Sequence, residues 1–183
     1  FRPAIVLLGI AHITLLLSFV ALYTGIGHHL EDLHVAASNI ILIRLAALPA
    51  MFISLGVGAL AERIGAIRVA QVGFGLAAVG MLGEAFTDQT IFDVVASSVV
   101  YVSGVALSIP SMIMLYGETA APHRGSGMAI NGFVLFVGAS IGALVGKAIS
   151  GFGTLTLTLV ALLVIAATSL LTLGAILRKG SSS

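Results

Sequence analysis

The sequence predicts an all-α integral membrane protein with six transmembrane helices, from its composition and from the lengths of its apolar stretches. Hydrophobic residues make up 59% of its 183 residues and charged residues only 8%. A soluble domain carries about 25% charged residues, because its surface must be solvated. The mean hydropathy of +1.20 points the same way. Most of the surface is therefore expected to face hydrocarbon.

Six apolar stretches are separated by charge clusters and by Gly or Pro residues. About 20 apolar residues in a helix cross a bilayer core about 30 Å thick. Each stretch is expected to be helical, because the backbone in hydrocarbon must satisfy its own hydrogen bonds. The predicted spans, within one domain over residues 1–177, are 4–26, 35–60, 66–86, 92–116, 126–149 and 154–177. Residues 178–183 are predicted to be a cytoplasmic tail or linker.

Composition excludes several classes of function. The net charge of +1 provides no basic field for nucleic acid. The absence of cysteine excludes disulfides, thiolate metal sites and cysteine nucleophiles. The chain begins at Phe1 rather than Met, which favours a fragment or a processed product. Its first apolar stretch is too long for the core of a signal peptide.

Lys and Arg residues indicate the orientation, because they are enriched in cytoplasmic loops. The basic residues on the side of both termini are Arg2, Arg63, Arg68, Arg124, Arg178 and Lys179. Only Lys147 falls on the opposite side, and Arg44 lies inside a span. Both termini are therefore predicted to be cytoplasmic, in a cell (inner) membrane. The outer loops are predicted to contain His28, His29, Glu31, Asp32, His34, Glu84, Asp88 and Asp93.

The deep polar residues fall in four of the six spans. Spans one, two, four and five hold His12, Asn39, Arg44, Tyr101 and Asn131. Ionisable groups in a membrane almost always face a bundle interior or a wet cavity. These four spans are therefore expected to line a cavity, whereas spans three and six are expected to face lipid.

Arg44 is the strongest single signal of a site. By helical rise it is expected about 14 Å below the outer surface, where an isolated Arg costs at least about 2.5–3.5 kcal/mol. No Asp or Glu is expected at that depth. Its partner would then be a substrate, another subunit or missing sequence. Binding of substrate and a fixed ion pair with a missing half are equally compatible with this pattern.

His12, Tyr101 and Asn131 are further candidates for substrate binding or coupling. His12 is expected roughly 12 Å from the cytoplasmic side, close to Arg44 in depth. A histidine there could relay protons, or it could be a neutral ring bonded to a neighbour. Tyr101 and Asn131 could hydrogen-bond in a cavity or simply pack. Asn39 and the outer histidines are expected to be interfacial.

Glycine and proline indicate packing and bending. Gly138, Gly142 and Gly146 line one face of span five, and such faces let helices approach closely. Pro49 and Pro110 are expected to bend spans two and four. The G-x-S-x-G pattern of Gly138–Gly142 and the dinucleotide-like pattern beginning at Gly73 lie in apolar spans. Both are therefore interpreted as chance matches.

Two loops carry a family resemblance. Gly58-Ala59-Leu60-Ala61-Glu62-Arg63-Ile64-Gly65 resembles the signature loop G-x-x-x-D-R-x-G of the major facilitator superfamily. Glu118-Thr119-Ala120-Ala121-Pro122-His123-Arg124-Gly125-Ser126-Gly127 resembles that family's loop between helices four and five. The resemblance covers all six spans, and both motifs fall on the predicted cytoplasmic side.

The resemblance implies one half of a twelve-helix fold, built as a 3+3 inverted repeat with substrate between the halves. The C-terminal half is favoured, because span four lacks the family's Arg and span five lacks its antiporter Gly-Pro. Glu62 also replaces the usual Asp, and Ala66 replaces a basic residue. By resemblance Gly58 and Gly65 belong to a gating loop, and four charges would hold the outward-open state: Glu62, Arg63, Glu118 and Arg124. These charges could instead anchor loops.

The implied function is transport of a small molecule by alternating access, as a drug or metabolite exporter or antiporter. The implied partner is the N-terminal six-helix half, and no cofactor, metal or catalytic residue is expected. If protons drive transport, their carrier would be His12 or lie in the other half. One rival is an intramembrane protease, for which Ser140 and His12 are poorly matched in depth. The other is a structural or scaffolding subunit of a larger complex.

Overall fold

The computed structural model describes residues 3–32, 35–86 and 90–180, and in these ranges the chain is helical without a strand. The helices are α1 (Pro3–Asp32), α2 (Ala37–Ala46), a 3-10 helix (Leu48–Gly56), α3 (Val57–Ile64), α4 (Ala66–Phe86), α5 (Ile91–Thr119), α6 (Arg124–Ala148) and α7 (Phe152–Gly180). Arg2, His34 and Asp88 lie outside the described residues, as do residues 181–183.

Six stretches of these helices are long and apolar enough to cross a membrane, which confirms the predicted number. They are Pro3–Glu31, Ser38–Ile64, Ala66–Phe86, Ile91–Thr119, Arg124–Ala148 and Phe152–Ile176. The second span comprises α2, the 3-10 helix and α3; the other five are single α-helices. Below, the terminal end of the bundle is the end that holds Pro3, the α3–α4 turn and the α5–α6 loop. The opposite end is called the far end.

The spans pack in a regular pattern. The first span contacts the fifth and sixth most extensively, and the fourth contacts the third and second. The third and sixth pack on each other, as do the first and fourth. When spans one, two and three are exchanged with spans four, five and six, the contact of spans one and five corresponds to that of four and two, and the contact of three and four to that of six and one. The smaller contacts between consecutive spans are not matched in this way. Gln71 ties the third span to the sixth through a 3.1 Å hydrogen bond to the Leu170 carbonyl.

The six spans differ in how much of their most apolar stretch is buried within the bundle. The division into cavity-lining and lipid-facing spans stays a prediction, because this burial does not distinguish a lipid-facing surface from one that faces a cavity or a partner. The fourth span is the most buried, at 61% of its most apolar stretch. The third and sixth follow with the first, at 44%, 33% and 50%, whereas the second and fifth are at 28% and 22%. The third and sixth spans are held by each other and by α5 and α1, which sequence polarity does not reveal. The most exposed faces therefore belong to the second and fifth spans.

Glycine allows the first and fifth spans to approach closely. A Cβ built at Gly138 would lie 2.7 Å from the Ile13 carbonyl oxygen, and one at Gly146 would lie 2.8 Å from that of Ala21. Gly142 lies in the same way against the backbone of Leu17. All three are buried. The glycine face of α6 is thus covered by α1 along three successive turns.

The two prolines behave differently from one another. Pro49 lies in the first turn of the 3-10 helix, so the second span changes helix type there as expected of a proline. Pro110 lies inside α5, which continues without interruption to Thr119. A proline can bend an α-helix without ending it, so the bend expected at Pro110 stays a prediction. Hydroxyls on both sides of it bond to backbone carbonyls, Ser108 to Gly104 and Ser111 to Leu107.

Candidate functional site

Arg44 lies against the first span, in the half of the bundle nearer the far end. Its Nη2 donates a 2.9 Å hydrogen bond to the Tyr23 carbonyl oxygen, and its Nε is buried without a partner. Among the described residues, no carboxylate forms an ion pair with it within 4.0 Å. The guanidinium therefore makes one hydrogen bond, to a backbone carbonyl, and its other N–H groups remain available as donors.

A glycine creates the space that Arg44 occupies. A Cβ built at Gly27 would overlap Nη2 of Arg44, so any other residue there would push the guanidinium aside. The guanidinium lines an open groove of about 390 Å³ together with Phe19, Tyr23 and Glu31. Glu31 is exposed on this groove. The groove can thus admit a ligand to the unused donors of Arg44.

His12 is not at the depth of Arg44, contrary to the expectation from span positions. Arg44 contacts α1 at Tyr23 and Gly27, whereas His12 lies 11 residues before Tyr23. That separation is about 16 Å along a helix. α1 continues to Asp32, six residues past the predicted end of span one at residue 26, so His12 lies farther from the far end than expected. The two residues therefore belong to separate sites.

His12 lies in a buried polar cluster with Asn131 and Tyr116, one residue each from α1, α6 and α5. Asn131 lies against the His12 ring, and the centroid of the Tyr116 ring is 6.0 Å from that of His12. His12 and Tyr116 are fully buried and Asn131 is 7% exposed. Both His12 ring nitrogens, the Tyr116 hydroxyl and Asn131 Oδ1 lack a hydrogen-bond partner in good geometry, although the Asn131 amide is close enough to His12 to interact with it. A buried polar group left unpaired costs about 1–3 kcal/mol.

Tyr101 occupies the middle of the same helix interface and is fully paired. Its hydroxyl is 2.9 Å from Ser18 Oγ, which itself donates to the Leu15 carbonyl at 2.8 Å. Since the single serine proton is used there, Tyr101 must donate to Ser18. Phe19 stacks on the Tyr101 ring with a centroid distance of 6.4 Å. Tyr101 therefore joins α1 to α5 and points into no open space.

The loop residues lie together at the terminal end. Gly65 has φ +89° between α3 and α4, a conformation that favours glycine. Gly58 is exposed on α3. The four charged residues there are exposed, and none forms an ion pair with another described residue: Glu62, Arg63, Glu118 and Arg124. Both loops are accessible to a partner on this face.

Glu84 lies near the far end of α4, where it is expected at the outer end of the third span. The prediction that it is an outer-loop acid is wrong about its exposure. Instead Glu84 is 1% exposed in α4, and its Oε1 accepts a 2.6 Å hydrogen bond from Ser98 of α5. Its Oε2 is buried without a partner. Ser98 lies seven residues after the start of α5. Polar residues near the same end of two consecutive apolar helices are the sequence feature that could have predicted this pair.

Outside these groups, His28, His29 and Lys147 line a pocket of about 450 Å³ at the far end of the described bundle. Asn39 is exposed, and His29 stacks on Phe152 with ring centroids 4.5 Å apart. No group of His, Asp or Glu among the described residues is arranged to hold a metal. Ser140 is exposed on the α6 helix, without the strand and turn that a nucleophile elbow requires.

Comparison with known proteins gave no match to any protein family, curated protein or solved structure.

Proposed function

We propose that this chain is one six-helix half, the C-terminal one, of a major facilitator-type secondary transporter in a cell membrane. In this proposal both termini are cytoplasmic, and a small molecule crosses by alternating access between this half and a second. Export of a drug or metabolite, in exchange for protons or another ion, is the proposed direction. The observation that carries the proposal is Arg44, a cation within a membrane span with unused donors on an open groove.

The free-energy cost of an unpaired Arg44 charge within a membrane span supports the binding of a ligand to it. A charge inside a membrane span costs several kcal/mol unless it is paired, and one backbone carbonyl supplies only a partial charge. An anionic group would take up the unused donors, and a planar guanidinium suits carboxylate or phosphate. Glu31 on the same groove does not pair with it. The proposed ligand is therefore an anionic group, on the substrate or on the second half.

The arrangement of the spans supports the rest of the proposal. The contacts that persist when the first three spans are exchanged with the last three are those expected of a 3+3 repeat. The second and fifth spans, the most exposed, are equivalent in that exchange. A second half would cover these two faces. The same exposure favours the alternative, a structural subunit that docks in a larger complex.

The first test is anion binding by the purified chain, read as a rise in thermal stability with phosphate, acetate and succinate. A bound anion raises stability in proportion to the logarithm of its concentration. We expect an anion to stabilise the wild type and the control Arg68→Gln, whose arginine is exposed at the terminal end. Arg44→Gln should abolish the effect. Gly27→Ala should also weaken it, because its methyl group displaces the guanidinium.

Transport itself is tested on proteoliposomes that contain the product of the complete coding region. We expect accumulation of the stabilising anion, and a far larger loss of uptake than of expression in Arg44→Gln and Arg44→Lys. Equal transport kinetics in these variants and the wild type would reject the role of Arg44. A complete product that never transports, yet copurifies with a fixed partner, would favour the structural subunit.

A further inference from the structure

The cluster of His12, Tyr116 and Asn131 is a second site, about 16 Å along α1 from the groove of Arg44. We propose that it binds an uncharged group that both donates and accepts hydrogen bonds, entering from the terminal end of the bundle. Such a group is water, or the hydroxyl or amide of a solute. This inference stands whether or not the chain is half of a transporter.

The hydrogen-bonding capacity of the cluster identifies the class of ligand. A neutral histidine offers one donor and one acceptor, a tyrosine hydroxyl offers both, and an amide oxygen accepts. All four of these atoms lack a hydrogen-bond partner in good geometry, and they come from three different helices. A ligand with only acceptors or only donors would leave part of the cluster unpaired. Water, hydroxyls and amides match both kinds of atom.

The charges near the cluster favour a neutral ligand. The charged described residues at this end of α5 and α6 are Glu118, His123 and Arg124, and all three side chains are exposed. Phe152–Ile176, the stretch of α7 whose side chains the structure describes, holds no titratable residue. Among the described side chains, none at this end of these helices is a buried charge that could balance an ion at His12. The Tyr116 hydroxyl points toward α1, where a Cβ at Gly9 would lie 3.8 Å from it.

A cleft of about 350 Å³ at the terminal end supplies the entrance. It lies between the same three helices as the cluster, and Ile5, Thr119 and Gly127 line it. Gly127 is one turn before Asn131 on α6, and Thr119 is about one turn after Tyr116 on α5. These offsets correspond to about 6 Å and 4.5 Å of helix. The cleft thus ends about one turn from the unpaired atoms.

The test of access uses the absence of natural cysteines. In Asn131→Cys the single thiol reports whether a hydrophilic methanethiosulfonate reaches the cluster. The control is Ser108→Cys, a near-isosteric change at a fully buried position on α5 that packs against α4. We expect the thiol at position 131 to react about tenfold faster or more, because only a thiolate that water reaches is reactive. Equal, slow reaction of both thiols would overturn the proposal.

A second measurement uses the unaltered chain, so that a folding defect cannot obscure the result. Diethyl pyrocarbonate modifies accessible neutral histidines, and peptide mapping separates His12 from the exposed His123. We expect His12 to be modified in the folded protein. Saturable slowing by glucose or nicotinamide would identify a solute hydroxyl or amide as the ligand, and modification that neither slows would identify water. An unmodified His12 beside a fully modified His123 would contradict the proposal.

Discussion

The second and fourth spans each carry one proline, yet only the second changes helix type at it. Around Pro49 the chain forms nine residues of 3-10 helix between two short α-helices. Around Pro110 it remains α-helical over 29 residues. The fourth span is 61% buried over its most apolar stretch and the second is 28% buried. The proline that remains within an α-helix is thus the one in the more buried span, and we expect packing against neighbours to be the cause.

The contact between α4 and α5 explains why the fourth span is held. Gly73, Gly80 and Gly104 bring the two backbones together, and a Cβ at Gly104 would lie 2.5 Å from the Gly73 carbonyl oxygen. The second span has open positions instead: a Cβ at Gly56 or Gly58 would meet nothing within 4 Å. One span is fixed by its neighbours along its length, and the other is free on most of its surface.

The largest expected effect on stability is that of one added methyl group in the fourth span, compared with one added in the second. Gly104→Ala should destabilise the protein by about 1–3 kcal/mol, because the methyl group presses on the α4 backbone, which cannot yield without a shift of the helix. Gly56→Ala is the matched control, with a negative φ of −88° and free space. It should be neutral or slightly stabilising. Reversible unfolding in detergent measures both, and equal losses would remove packing as the cause of the difference.

The next effect separates the hydrogen bond of the fourth span from its packing. Tyr101→Phe removes the donor to Ser18 and keeps the ring, so it should cost about 0.5–1.5 kcal/mol. Ser18→Ala removes the acceptor, and a double-mutant cycle isolates the pair. Additive losses would show that Tyr101 stabilises through its ring alone, on Phe19. Thermal unfolding of the four proteins supplies the cycle.

Sequence reasoning reached the number of spans but not their neighbours. Apolar length and helical rise suffice to find six spans, because the bilayer imposes both. Which spans pack on each other depends on contacts between residues distant in the chain, and the polarity of each span does not reveal them. The burial of Glu84 was not predicted for the same reason, since its hydrogen-bond partner Ser98 lies on the next helix.

The candidate sites were predicted in part. His12, Asn131 and Arg44 could be predicted as candidates, because polar residues within apolar spans are recognisable from the sequence alone. Tyr116 was missed because it lies three residues from the end of α5, where a tyrosine is ordinary at a membrane interface. The separation of Arg44 from His12 was not predicted because α1 continues to Asp32, whereas the apolar pattern placed the end of the first span at residue 26.

The smallest energetic effect, and the most direct test of the second span, is Pro49→Ala. Alanine restores the backbone N–H and the freedom of φ that proline removes, so α2 can continue through Leu48–Gly56. A 3-10 helix rises about 2.0 Å per residue and an α-helix about 1.5 Å, so the nine residues should shorten by about 4.5 Å. Spin labels on cysteines introduced at Asn39 and Gly58, which are both exposed, measure this distance without competing thiols.

Pro110→Ala should leave the length of the fourth span unchanged, because α5 is already α-helical there. An unchanged label distance in Pro49→Ala would mean that the helix type of the second span is set by the residues after the proline and not by Pro49.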